Sequence, residues 1–200
     1  MSQVVEKAKA IIGQWSLLNH PFYQAWSAGT LPPEKLKTYS GEYGTFIRLI
    51  AKAWDACAYT EIADTERKHT ILWRKFANSL GTEISEVSDL RQVRALNNYF
   101  EQSCANKPAI LGALLAFEYQ QPTTVASKLE GLHTHYSDLR ADETYFQIHL
   151  DDWDEPAMLL KDIESMDKNL QAEALVSVES ACMLLWSALS GIYDCESVAA

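Results

Sequence analysis

Between Pro33 and Tyr59 the apolar residues Leu36, Tyr39, Tyr43, Phe46, Ile47, Ile50 and Trp54 recur at intervals of three and four. That is the spacing of one helix face, and it predicts a long helix there. The same pattern returns along the chain. No strand-like alternation bounded by turn residues persists anywhere, and 8 glycines and 6 prolines are few for 200 residues. The chain therefore reads as all-α, a single helical domain over residues 1–200 with about seven or eight helices. The expected segments are about Gln3–Leu18, a short helix opening at Asn19-His20-Pro21, Pro33–Tyr59, Asp64–Leu80 stopped by Gly81, and Ser88–Cys104. Then follow Pro108–Leu132 with a kink at Pro122, Thr144–Asp154 interrupted or ended by Pro156, and Met158–Asp194 broken near Lys168-Asn169.

Composition excludes several classes of function. The formal net charge is −10, which argues against nucleic acid and anionic membrane as partners. No unbroken apolar run approaches the roughly 20 residues of a membrane span. The N-terminal stretch has no basic region followed by an apolar one, so it does not read as a signal peptide. Four scattered cysteines without a CxxC pair point to reduced thiols and a cytoplasmic protein.

The residue hardest to reconcile with a simple core is Glu118, inside "LLAFEYQQPTTVASKLEGLHTHY". A carboxylate amid apolar residues needs a partner: a metal, Lys128, a histidine or an arginine. Bundles build metal sites from inward carboxylates and imidazoles, a donor set that suits iron or manganese. Candidates are Glu61, Asp64, Glu66 and His69 in "EIADTERKH", then His149, Asp151, Asp152, Asp154 and Glu155 in "HLDDWDE". Glu66 and His69 stand at i and i+3, as do His149 and Asp152, so each pair can face one ion. Glu66 also fits a solvated helix face. Glu61 and His69 are eight apart, about 80° round an ideal helix. Tyr23, Tyr39, Tyr43, Tyr99, Tyr119, Tyr136 and Tyr145 suit a core or the lining of a polar pocket.

Several motifs carry a resemblance to a known group. "HPFYQAWSAGTLPPEKLKTY", "HTILWRKFANSLG", "AFEYQQPTTVASKLEGLHTHY", "YFQIH" and "LLWSALSGIY" together resemble the TenA/PqqC group with the haem-oxygenase-like fold, and most of all its CADD-like branch. The resemblance covers about His20 to Tyr193. It implies a metal-dependent, oxygen-activating oxidase that forms p-aminobenzoate for folate. The cofactor would be iron, as a pair or a single ion, or manganese with iron. Dioxygen would be a substrate, together with a small aromatic ligand or a tyrosine of the chain itself. Carried over, the metal ligands are Glu61, His69, Glu118 and His149, with Asp152 beside them; Tyr23 and Lys128 are the reacting groups, and Tyr43 is a neighbouring tyrosine. The last motif departs from the group: Trp153 and Pro156 occupy the places of its Asp and final His, and Phe117 stands where a Tyr often precedes the central Glu. A degraded, single-ion or metal-free site is therefore a second expectation, with a cofactor-free or hydrolytic TenA/PqqC-like enzyme, or a ligand- or protein-binding module, as alternatives. Many bundles of the group are dimers, and the sequence leaves a homodimer open, as it does the roles of His133 and His135.

Overall fold

The computed structural model describes residues 2–195 and, among them, α-helices and two single 3-10 turns, with no strand. The helices are α1 (Gln3–Gln14), α2 (Pro21–Ser27), α3 (Pro33–Ala56), α4 (Thr60–Ser79), α5 (Arg91–Ser103), α6 (Lys107–Glu118), α7 (Gln121–His135), α8 (Thr144–Ile148), α9 (Asp154–Ser165) and α10 (Lys168–Asp194). The all-α class holds.

Helix α6 is the axis of the bundle. Asn106 caps it by accepting a hydrogen bond from the Ala109 N–H at 3.3 Å, Pro108 sits in its first turn, and Ile110 to Glu118 are all buried. A segment apolar all round must be covered on every side, and α10, α9, α3 and α5 cover it. Against α10 the backbones nearly touch: a Cβ on Gly112 would lie 2.2 Å from the Ala174 carbonyl oxygen. At the start of α10 the Asp167 carboxylate accepts from the Asn169 and Leu170 N–H groups, so the expected break near Lys168 is a capped helix start.

Two boundaries correct the sequence reading. The stretch Pro108–Leu132 is two helices parted at Tyr119-Gln120, and Pro122 lies in the first turn of α7 rather than at a kink. Pro needs no N–H in a first turn, so it starts a helix as readily as it bends one. The joint is pinned by side chains: Gln120 Oε1 accepts from the Leu17 N–H at 2.8 Å, its Nε2 donates to the Ala116 carbonyl, and Gln121 Nε2 donates to the Tyr145 hydroxyl at 3.1 Å. Likewise Pro156 sits in the first turn of α9, and α8 ends at Ile148. The turn between them, residues 149–153, is what carries His149 and Asp152 to the bundle.

One helix does reach membrane-spanning length and hydropathy, α10, but half of its most apolar window is buried. Its Ala174, Val178, Ala181, Leu185 and Leu189 belong to the core.

Candidate metal centre

Helix α4 buries Ala63, Glu66, Trp73, Phe76 and Ala77. Glu66 thus lies on the apolar stripe and is only 3% exposed, which overturns its reading as a solvated face. Its Oε1 contacts His69 Nδ1 at 2.7 Å, one turn on. His149 follows α8 and is 1% exposed. The His149 Nδ1–H donates to the Tyr145 carbonyl at 2.6 Å. With the proton on Nδ1, the lone pair is on Nε2. That atom is 3.9 Å from Glu66 Oε1, too far for a hydrogen bond, and it is buried with no hydrogen-bond partner. The three residues offer ligand atoms that all lie within 4.8 Å of one another.

An imidazole held by a backbone carbonyl through one nitrogen, with the other buried and unsatisfied, is how metal-bound histidines are oriented. An orphaned buried acceptor costs free energy; a cation in this position removes that cost. One carboxylate oxygen and two imidazoles suit iron, so the residues present fit the group.

A ring of acids surrounds the three. Glu118 ends α6, 3% exposed, with one oxygen accepting from Trp54 Nε1–H at 3.1 Å. Burial, then the charges of Glu155, Glu66 and Asp152, hold its carboxyl well above the usual range despite that hydrogen bond. Burial, Asp152 and Glu66 push Glu155 up to about 8, and Asp152 is raised by burial, with Glu66 and Asp154 adding to it. Burial also acts on Glu66, but the His149 and His69 imidazoles outweigh it and lower its carboxyl. Lys52 and Arg67 pair with other acids, Glu101, Asp55 and Asp64.

Not every expected residue arrives here. Glu61 is exposed in the first turn of α4 and lines a surface hollow with Ala58, Tyr59, Ile62 and Met158; the cluster takes Glu66 instead. Trp153 is 46% exposed with its ring edge-on to Tyr119, and Pro156 is buried. Glu155, beside Pro156, brings a carboxylate to that flank. His133 and His135 are exposed, bound to Glu143 and to the Ser27 carbonyl; neither belongs to the cluster.

Lys128 is 3% exposed on α7. Its amine lies 5.5 Å from the Tyr23 ring centroid, 5.6 Å from Tyr39 and 5.3 Å from Phe146. Ring faces attract a cation, yet no carboxylate pairs with it among the described residues, and burial pulls the amine down to about 7. Tyr43 stacks on Tyr39 with centroids 5.0 Å apart. Burial raises its hydroxyl, and the charges of Tyr23 and Glu118 raise it further, which sets Tyr43 between the lysine cage and the acids.

A helical bundle that brings one buried and one half-buried imidazole together with carboxylates suits the class of metal-dependent redox proteins. The family described as iron-containing redox enzymes matches residues 47–155, and the chain belongs to it. Its relatives include the 4-aminobenzoate synthase of Nitrosomonas europaea, 29% identical over 226 residues that cover 94% of this chain and 90% of that one. The 4-aminobenzoate synthase of Chlamydia pneumoniae is 28% identical over 170 residues, 74% of this chain and 75% of the other. Among solved structures, a TenA homologue from Pseudomonas syringae superposes with a TM-score of 0.80 at 13% identity, covering 96% of this chain and 92% of that one. A domain of unknown function with a heme oxygenase-like fold from Shewanella denitrificans gives 0.77 at 16%, covering 96% and 93%. Those two likenesses bear out the expected fold.

Proposed function

We propose that this chain is an iron-dependent, oxygen-consuming 4-aminobenzoate synthase in which Tyr23 and Lys128 are the reacting groups. The observation that carries the reading is the buried, unsatisfied Nε2 of His149 beside Glu66 and His69, in a chain of the iron-containing redox family. Glu66, His69 and His149 would hold one ion. Glu118, Asp152 and Glu155 would serve a second: burial and the charges around them raise all three carboxyls, a cost that a bound cation would remove. When bound, the iron supplies the redox chemistry with dioxygen.

The rest is the work of the chain. Tyr145 fixes the orientation of His149, and Trp54 that of one Glu118 oxygen. The Tyr23, Tyr39 and Phe146 rings keep water from Lys128, so near neutral pH about half of its amine is uncharged and nucleophilic at the pKa of about 7. It is held beside the Tyr23 ring before any reaction begins.

A hydrolytic reading built on a nucleophilic thiol finds less support. Burial pushes Cys57 and Cys182 each up to about 12, leaving them protonated at neutral pH. Anaerobic loading with ferrous iron followed by oxygen should yield 4-aminobenzoate, and Lys128→Arg should keep the fold and iron while abolishing product. No product from iron-loaded protein would overturn the proposal.

A further inference from the structure

The rings nearest the metal centre do not stop at the reacting groups. The His149 ring lies 4.4 Å from Tyr145, Tyr145 4.8 Å from Trp73, Trp73 5.5 Å from Tyr39, Tyr39 5.7 Å from Trp26 and Trp26 6.5 Å from Tyr136, centroid to centroid. Tyr145, Trp73, Tyr39 and Trp26 are fully buried, and Tyr136 is 6% exposed just before the Ser137–Leu139 turn. Tyr23 meets the path at Tyr39, to which its hydroxyl is hydrogen-bonded, but its own close ring partner is Phe22 and it is not a rung.

Aromatic cores are common, and edge-on pairs of this kind stabilise any bundle. Two observations go beyond packing. The sequence of rungs contains only tyrosine and tryptophan, the side chains that lose an electron most readily, although the surrounding core is also rich in Phe22, Phe46, Phe76, Phe100 and Phe146. Trp26 Nε1 is buried with no acceptor, although buried indole N–H groups usually find one. An indole that gives up an electron there keeps its proton, so the vacancy moves on to the next ring instead of being trapped by proton loss. At Tyr136 the situation reverses. Its hydroxyl donates to the Leu31 carbonyl at 3.0 Å and accepts from the Leu31 N–H at 3.1 Å, at the least buried of the five rings.

We infer that Tyr145, Trp73, Tyr39, Trp26 and Tyr136 form a one-electron outlet that carries oxidising equivalents from the metal centre to the surface when the reacting groups do not consume them. The inference rests on the iron-and-oxygen reading above. In each event one electron passes inward along the rungs to the centre that dioxygen has oxidised, and Tyr136 releases its phenolic proton to water and becomes a tyrosyl radical. A low-molecular-weight thiol then transfers a hydrogen atom to Tyr136, restoring the phenol; two of the resulting thiyl radicals combine as a disulfide. The role is protective; Tyr39 combines it with walling Lys128, and Tyr145 with orienting His149.

The test compares wild type, Trp26→Phe and Tyr136→Phe, each loaded anaerobically with ferrous iron and exposed to oxygen with a nitroso spin trap and no thiol. Adducts are located by peptide mass spectrometry, with iron content, product and thermal melting measured alongside. Wild type should carry its adduct on Tyr136, and added thiol should remove it. Tyr136→Phe should lose that adduct and accumulate oxidised Trp26, read as its oxygen-addition products in the peptide masses. Trp26→Phe should lose the Tyr136 adduct and accumulate oxidised Trp73 and Tyr39 with iron unchanged. A Tyr136 adduct undiminished in Trp26→Phe overturns the outlet while leaving the synthase reading intact if product still forms. If Trp26→Phe fails to fold, Tyr136→Phe alone decides: no oxidised Trp26 in that variant refutes the path. Iron that oxygen does not oxidise in wild type refutes the centre, and the outlet with it.

Discussion

Replacing Lys128 with Met keeps the length of the side chain and removes its amine, and the stability change should depend on pH in a defined way. The amine falls from 10.5 to about 7 because it is buried. Between those values the unfolded chain binds a proton that the folded chain does not. Wild-type stability therefore rises with pH across this window by up to about 1.4 kcal/mol per unit and gains nothing from this group below it. The whole penalty is about 5 kcal/mol, fully present below pH 7 and gone above 10.5. Lys128→Met should be more stable than wild type at pH 6, and its advantage should shrink by about 2–3 kcal/mol between pH 6 and pH 9. Urea denaturation of both proteins at several pH values, followed by helix circular dichroism, measures that difference, and titrations common to the two cancel. An advantage that stays flat from pH 6 to 9 would refute the buried, unpaired amine and with it the ground for proposing Lys128 as the nucleophile. The gain in stability with loss of product is the trade expected where a reactive group is held in an unfavourable place.

Further outcomes follow from the same geometry. Glu66→Gln and His149→Ala should each lose iron on desalting, read by elemental analysis, whereas Glu61→Gln should retain it. Burial holds His20 down at about 4, against a small rise from Asp194; the folded chain then binds fewer protons than the unfolded one between pH 4 and 6.5, so stability should fall through that window on acidification. His20→Asn, which can still cap α2, should flatten the loss by on the order of 2 kcal/mol in denaturation at pH 4.5. Gly112→Ala should destabilise by at least about 2 kcal/mol, because the new methyl meets the α10 backbone and not a side chain that can swing away.

How much of this was legible depended on whether a residue's neighbours in sequence are also its neighbours in space. Helix α3 was readable because its buried residues repeat every three or four positions with little interruption. The split between α6 and α7 was not, because proline means a kink or a start, and only the packing of Gln120 and Gln121 decides between them. Glu118 announced itself as a charge among apolar residues, whereas Lys128, next to Ser127 and near Glu130, was singled out by the family resemblance. Glu66 was concealed by Thr65, Arg67 and Lys68, which are polar and point elsewhere. Its signal was positional: Ala63, Glu66, Trp73 and Phe76 follow one stripe of α4, and that stripe made Glu66 a better candidate than Glu61. The acid after Trp153 was visible as composition only, since Glu155 acquires its neighbours from α4 and α6 through the fold.

The residues proposed to hold the metal come from two stretches of chain separated by the polar segment that runs from Gly81 to Leu90 and joins α4 to α5. Glu66 and His69 lie before it, while His149, Glu118, Asp152 and Glu155 lie after it. No peptide from either side can form the centre alone. Ion affinity is therefore a measure of how well the two stretches dock, and the energy of coordination counts toward docking them. Cleavage in the Gly81–Leu90 segment would turn the protein into a two-piece assembly whose rejoining the bound ion itself would report.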